Sequence, residues 1–201
     1  MKTAIKIIIL AVVSAAIAVF LEQIIAVAAD VFWQREIVSN FYQNLTCFLA
    51  VSVIIEELSK FWAIFFVIRK KIELSGVKLA IASFFLGAFW GLSEIGLIFY
   101  ANPEVFQAFR IHEPQILFSL GSILALHTLT AFLMGVFISS NTFSTPLKPV
   151  KILFFPVLNH LLYNFLVIQK GNFTNYLVVI SLSVFYFIGI AILAFNFRKL
   201  A

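Results

Sequence analysis

VSVIIEELSKFWAIFFVI, residues 51–68, is an apolar run with Glu56, Glu57 and Lys60 near its middle. A helix on the surface of a soluble domain keeps its charges on one face and its apolar residues on the other. Here apolar side chains surround the charges on every side, so no face is left for water. The alternative environment is a bilayer. There an ionisable group costs roughly 2.5–3.5 kcal/mol on insertion scales. A chain that places three of them in one span must give them partners.

The rest of the sequence agrees with that environment. Of 201 residues, 63% are hydrophobic and only 11% charged, with mean hydropathy +1.08. A soluble fold of this length has too little interior to hide so much apolar surface. Six runs reach the roughly 20 residues needed to cross a bilayer. They cover 5–29, 42–68, 77–100, 116–139, 150–169 and 174–196. The breaks between them fall at Asp30 to Asn40, Arg69 to Gly76, Asn102 to Pro114, Asn141 to Pro149 and Lys170 to Asn172, rich in polar residues, Gly and Pro. The expected fold is therefore all-α, a polytopic membrane helix bundle forming one integral membrane domain over 1–201. Met1–Lys6 is basic and precedes an apolar run too long for a signal peptide and without a small-x-small site, so it reads as a retained first helix.

Charge sets the orientation. With the N-terminus in the cytoplasm, the inner segments hold Lys2, Lys6, Arg69, Lys70, Lys71, Lys78, Lys148, Lys151, Arg198 and Lys199; the outer ones hold Arg35, Arg110 and Lys170. Ten against three is a positive-inside bias, and it places both termini in the cytoplasm. The net charge of +5 thus reports membrane topology, and the partner it implies is the lipid bilayer and no nucleic acid. Cys47 is the one cysteine, which excludes an intrachain disulfide and a multi-cysteine metal site. Gly87, Gly91, Gly96, Gly121 and Gly135 mark the third and fourth spans as close-packing helices.

Polar residues recur in four consecutive spans: Glu56, Glu57 and Lys60; Trp90 and Glu94; His127; then Asn159, His160 and Asn164. Glu56 and Lys60 are four apart and share a face, so they are expected to pair. Glu57, rotated by about 100°, is left to address another neighbour. His160 and Asn164 share a face, as do Trp90 and Glu94. Lipid receives none of these groups, so they are expected to converge on one cavity. Glu22, toward the outer end of the first span, reads as interfacial. His112 reads as a solvated loop residue and Trp90 as packing.

Two carboxylates facing two imidazoles can activate a water, because a desolvated carboxylate is a competent general base. Imidazole and amide groups can stabilise an oxyanion. Two His and a carboxylate are also a zinc ligand set, although the H-E-x-x-H spacing is absent. No Walker loop, G-x-G-x-x-G or G-x-S-x-G motif occurs.

Glu56-Glu57-x-x-Lys60, then Gly87-Ala-Phe89-Trp90-Gly-Leu-Ser-Glu94, His127, and His160-Leu-Leu-Tyr-Asn164 together resemble the PrsW-type intramembrane proteases. These are related to the CAAX-processing and bacteriocin-processing (CPBP) glutamic-type membrane proteases. The resemblance covers the second to fifth spans. Ile95 departs from it, since PrsW-like chains often carry Asn after this Glu. The resemblance implies an intramembrane endopeptidase that cuts a membrane-anchored or lipidated protein or peptide. Glu56 or Glu57 would activate the water. His127 and His160 would orient it or polarise the carbonyl, Asn164 would stabilise the oxyanion, Glu94 would position the water, and Lys60 would be a structural ion-pair partner. No cofactor is expected, with zinc as the alternative. A proton- or cation-coupled transporter using the same Glu/His cluster is the competing function, and a noncatalytic scaffold a third. The expected location is a prokaryotic plasma membrane.

Overall fold

The computed structural model describes residues 2–33, 45–139, 148–169 and 172–197. Among them it forms helices and no strand: α1 (Lys2–Trp33), α2 (Leu45–Trp62) running on into a π-helical stretch (Ala63–Arg69), α3 (Gly76–Ala101), α4 (Pro103–Arg110), α5 (Pro114–Ser139), α6 (Lys148–Gln169) and α7 (Asn172–Phe197). The connecting segments 34–44, 140–147 and 170–171, with Arg35 and Lys170, and the terminal Arg198 and Lys199 lie outside the described residues, as do the side chains of Lys2, Cys47 and Lys148.

The six expected spans correspond to α1, α2 with its π stretch, α3, α5, α6 and α7. Five of these are long and apolar enough to cross a membrane; α2 is the exception. Its shortfall is one of composition, because Glu56, Glu57 and Lys60 crowd its 18 residues. The chain is a multi-pass, all-helical membrane bundle. Large apolar side chains such as Phe20 and Phe187 stay 65% and 72% exposed on its outer face, where lipid replaces a protein core.

The centre of the bundle is α5, in which every residue from Leu126 to Ile138 is buried. Helices α2, α3, α6 and α7 all pack on it, and α1 closes the gap between α2 and α3. The α3–α5 seam is the tightest. A methyl group on Gly87 would collide with the backbone oxygen of His127, and one on Gly135 would lie 2.5 Å from Ser83 Oγ. Glycine at these two positions lets the helices touch backbone to backbone. Gly96 and Gly121 face open space and have no such role. At one end of the seam, Ser139 donates to the Gly76 carbonyl at 2.9 Å. On α1 the small residues Ala15 and Ala18 form a flat face that receives Trp90 of α3.

Two local features differ from the sequence expectation. Residues 102–114 are not a plain connection, because α4 forms there behind Pro103 and lies with no buried residue along the surface. Its Phe106 packs edge-on and its Phe109 at a tilt against Phe99, with ring centroids 5.3 Å apart in both pairs. The second feature is the π turn that ends α2, which closes with Ile72 N–H donating to Val67 O at 2.9 Å.

Candidate functional site

Lys60 is fully buried, and its ammonium finds three acceptors. It donates to Glu57 Oε1 at 2.7 Å, to His127 Nδ1 at 2.7 Å and to Thr130 Oγ1 at 3.4 Å. Trp90 covers it from 5.1 Å. An ammonium carries three N–H donors and no acceptor, so all of its capacity is used inside the bundle. The cost of burying this charge is offset by an equally buried carboxylate and by satisfied hydrogen bonds.

Because Lys60 can only donate, it fixes the tautomer of His127. Nδ1 accepts, so Nε2 carries the proton and donates to Glu94 Oε2. His160 is ordered in the opposite sense. Its Nδ1 lies 2.6 Å from Glu57 Oε1, an acceptor, so Nδ1 carries a proton and donates it there. The two imidazoles meet edge to face, with centroids 5.3 Å apart. Four helices, α2, α3, α5 and α6, thus tie Glu57, Lys60, Glu94, His127 and His160 into one hydrogen-bonded knot. Further out, Tyr163 of α6 and Ser122 of α5 share a hydrogen bond of 2.7 Å that clamps the same two helices.

Glu56 stands apart from that knot. Its Oε1 accepts from Ser52 at a long 3.5 Å, and its Oε2 has no donor although it is shielded from solvent. His127 Nδ1 is 3.9 Å away, beyond hydrogen-bonding range, and already engaged by Lys60. Glu56 is 18% exposed where Glu57 and Lys60 are at 0%. It borders a cavity of about 110 Å³ between α1, α2 and α3, lined also by Glu22, Trp90 and Glu94.

These contacts correct three expectations. Lys60 pairs with Glu57, three residues away, and not with Glu56, four away; His127 and Thr130 accept its other two N–H groups and His160 bonds the same Glu57 oxygen. Glu57 is therefore the paired carboxylate, and Glu56 the free one. Glu22, left out of the cluster on the sequence, lines the cavity beside Glu56 and Glu94. The signal for it was available in the sequence: Ala11, Ala15, Ala18 and Ala26 flank Glu22 at helical spacing, and that alanine stripe is the buried face of α1. Of the other expected residues, Asn164 is half-buried one turn beyond His160, outside the knot. Asn159 is fully buried, and neither amide atom has a partner among the described residues. His112 is exposed, as expected, with a left-handed φ of 58°.

Glu56, His127 and His160 bring one donor atom each within 4.8 Å of one another, close enough to hold a metal ion. The surrounding charges fit such an ion poorly. Both nitrogens of His127 are already bonded, and an ammonium 2.7 Å from one of them would oppose a second cation. Comparison with family models, curated proteins and solved structures gives no match for this chain.

Proposed function

We propose that the chain is an intramembrane peptide hydrolase of the glutamic type, in which Glu56 is the general base, acting on a membrane-anchored protein or peptide. The observation that carries this reading is the division of labour between two adjacent carboxylates. Each carboxylate has one buried oxygen without a donor among the described residues, but Glu57 spends its other oxygen on Lys60 and His160 and is wholly enclosed, while Glu56 lies unpaired with any cation at a cavity. A group meant only to lock helices would be paired; one meant to take a proton from water must be free to do so.

In this mechanism Glu56 removes a proton as water attacks the substrate carbonyl carbon. His160 is held in place by Glu57 and turns its Nε2 toward the site. Asn164, on the same face of α6 and without a hydrogen-bond partner among the described residues, has an amide free to donate to the oxyanion. His127, with both nitrogens engaged, positions Glu94 and does not touch substrate. The sequence resemblance to PrsW-type proteases supports the same reading, and a prokaryotic plasma membrane is the location proposed with it.

The test is cleavage of membrane-anchored reporter peptides by purified protein in detergent, comparing wild type with Glu56→Gln in the presence and absence of chelator. Loss of a general base predicts a fall of about 10²–10⁴-fold in kcat, insensitive to chelation. Loss on chelation with rescue by zinc would replace this reading with a metalloprotease built on Glu56, His127 and His160. Glu56-dependent ion flux in liposomes without any cleavage would replace it with a transporter.

A further inference from the structure

Glu22 belongs to no motif read from the sequence, yet it shares a cavity with the free carboxylate. Glu22 Oε1 and Glu56 Oε2 are both shielded from solvent, and neither has a donor from the protein among the described residues. Both residues line the same cavity of about 110 Å³ between α1, α2 and α3. That space suffices for a few waters at about 30 Å³ each. Ser52 stands between the two side chains, 3.5 Å from Glu56 Oε1 and close enough to Glu22 to interact with its carboxylate. Its single hydroxyl proton serves only one of them at a time.

We propose that Glu22 is a positioning residue for the hydrolysis, the second anchor of the attacking water. This rests on the hydrolase reading above. A water has two O–H donors, and the two buried oxygens are acceptors without donors. One bond to each satisfies both oxygens and turns the water's lone pairs toward the remaining open direction. In the reaction Glu56 Oε2 takes one proton as the water oxygen bonds to the carbonyl carbon. The other proton stays on the new hydroxyl, held by Glu22. Glu56 then returns its proton to the leaving nitrogen as the C–N bond breaks, and water plus amide become acid plus amine.

The experiment measures kcat and KM for reporter cleavage by wild type, Glu22→Ala, Glu22→Gln and Glu56→Gln, with thermal unfolding of each in the same detergent. Glu22→Ala should lower kcat by about 10–100-fold with KM held within about twofold, the signature of a misplaced nucleophile. Glu22→Gln keeps an acceptor oxygen and almost the same volume, so it should recover most of that loss. A wild-type kcat in Glu22→Ala overturns the proposal. So does Glu22→Gln as impaired as Glu22→Ala while unfolding like wild type, because then the charge of Glu22 matters and its acceptor does not. An inactive Glu56→Gln beside a fully active Glu22→Ala removes the water anchor alone, whereas an active Glu56→Gln removes Glu56 as the base, and with it the reading on which the anchor rests.

Discussion

Two ionic regions lie one residue apart on α2 and obey opposite rules. Around Glu57 and Lys60 every N–H of the ammonium is bonded and both side chains are wholly enclosed by α5 and α6. Around Glu56 the walls come from α1 and α3, the carboxylate is partly open, and shielded oxygens lack donors. The difference follows from a rotation of about 100° between successive helix residues, which sends neighbours in sequence into different compartments. Pairing makes the first region a fastener of four helices. The lack of pairing makes the second available for chemistry.

The strongest way to break this contrast is to remove the ammonium. Lys60→Met should destabilise the bundle by about 3–5 kcal/mol, because Glu57 is then left charged and enclosed. Glu56→Gln should shift stability by less than about 1 kcal/mol, since it breaks one long hydrogen bond at a partly open site. Unfolding in detergent, followed by circular dichroism, separates the two. Equal destabilisation would mean that Glu56 is also a fastener.

The sequence made five spans legible because hydropathy alone decides them, and the polar motifs of α2, α3, α5 and α6 converge as their burial cost requires. The partner of Lys60 was not legible. On an isolated helix, positions three and four residues away are both neighbours, so Glu56 and Glu57 compete on equal terms until other helices intervene. His127, Thr130 and His160 decide the matter, and they arrive from 67 to 103 residues away. Glu22 was misplaced for a related reason. Its depth was judged from the end of its span, while the alanine stripe around it carried the information about which way it faces. The eight-residue α4 escaped notice because it is too short and too polar to read as a span, although Phe106 and Phe109 fall at helical spacing behind Pro103.

A smaller effect tests whether the two regions are mechanically joined. Gly87 lies on α3, two turns before Glu94, and presses against the backbone of His127. Gly87→Ala adds a methyl group where none fits, which typically costs about 1–3 kcal/mol. It should also push α5 from α3 and lengthen the His127–Glu94 contact. Cleavage should then fall further than Glu94→Gln alone accounts for, since the paired region moves relative to the cavity. Wild-type activity in a destabilised Gly87→Ala would show that the seam holds the fold without setting the site.

The finest discrimination uses two hydroxyls, one in each region. Thr130 Oγ1 receives the third N–H of Lys60 and is itself wholly buried. Thr130→Val keeps the shape and strands a charged donor, so it should cost about 1–3 kcal/mol. Ser52→Ala removes the long 3.5 Å bond to Glu56 and the contact with Glu22 at a partly open site, and should cost less than about 0.5 kcal/mol. The ordering matters more than either value. A wholly enclosed region whose ammonium is fully bonded responds to the loss of any one acceptor, because nothing nearby can substitute. A region bordering a cavity can rearrange. If Ser52→Ala proved as damaging as Thr130→Val, Glu56 would be held as firmly as Glu57, and the distinction between fastener and base would have to be drawn elsewhere.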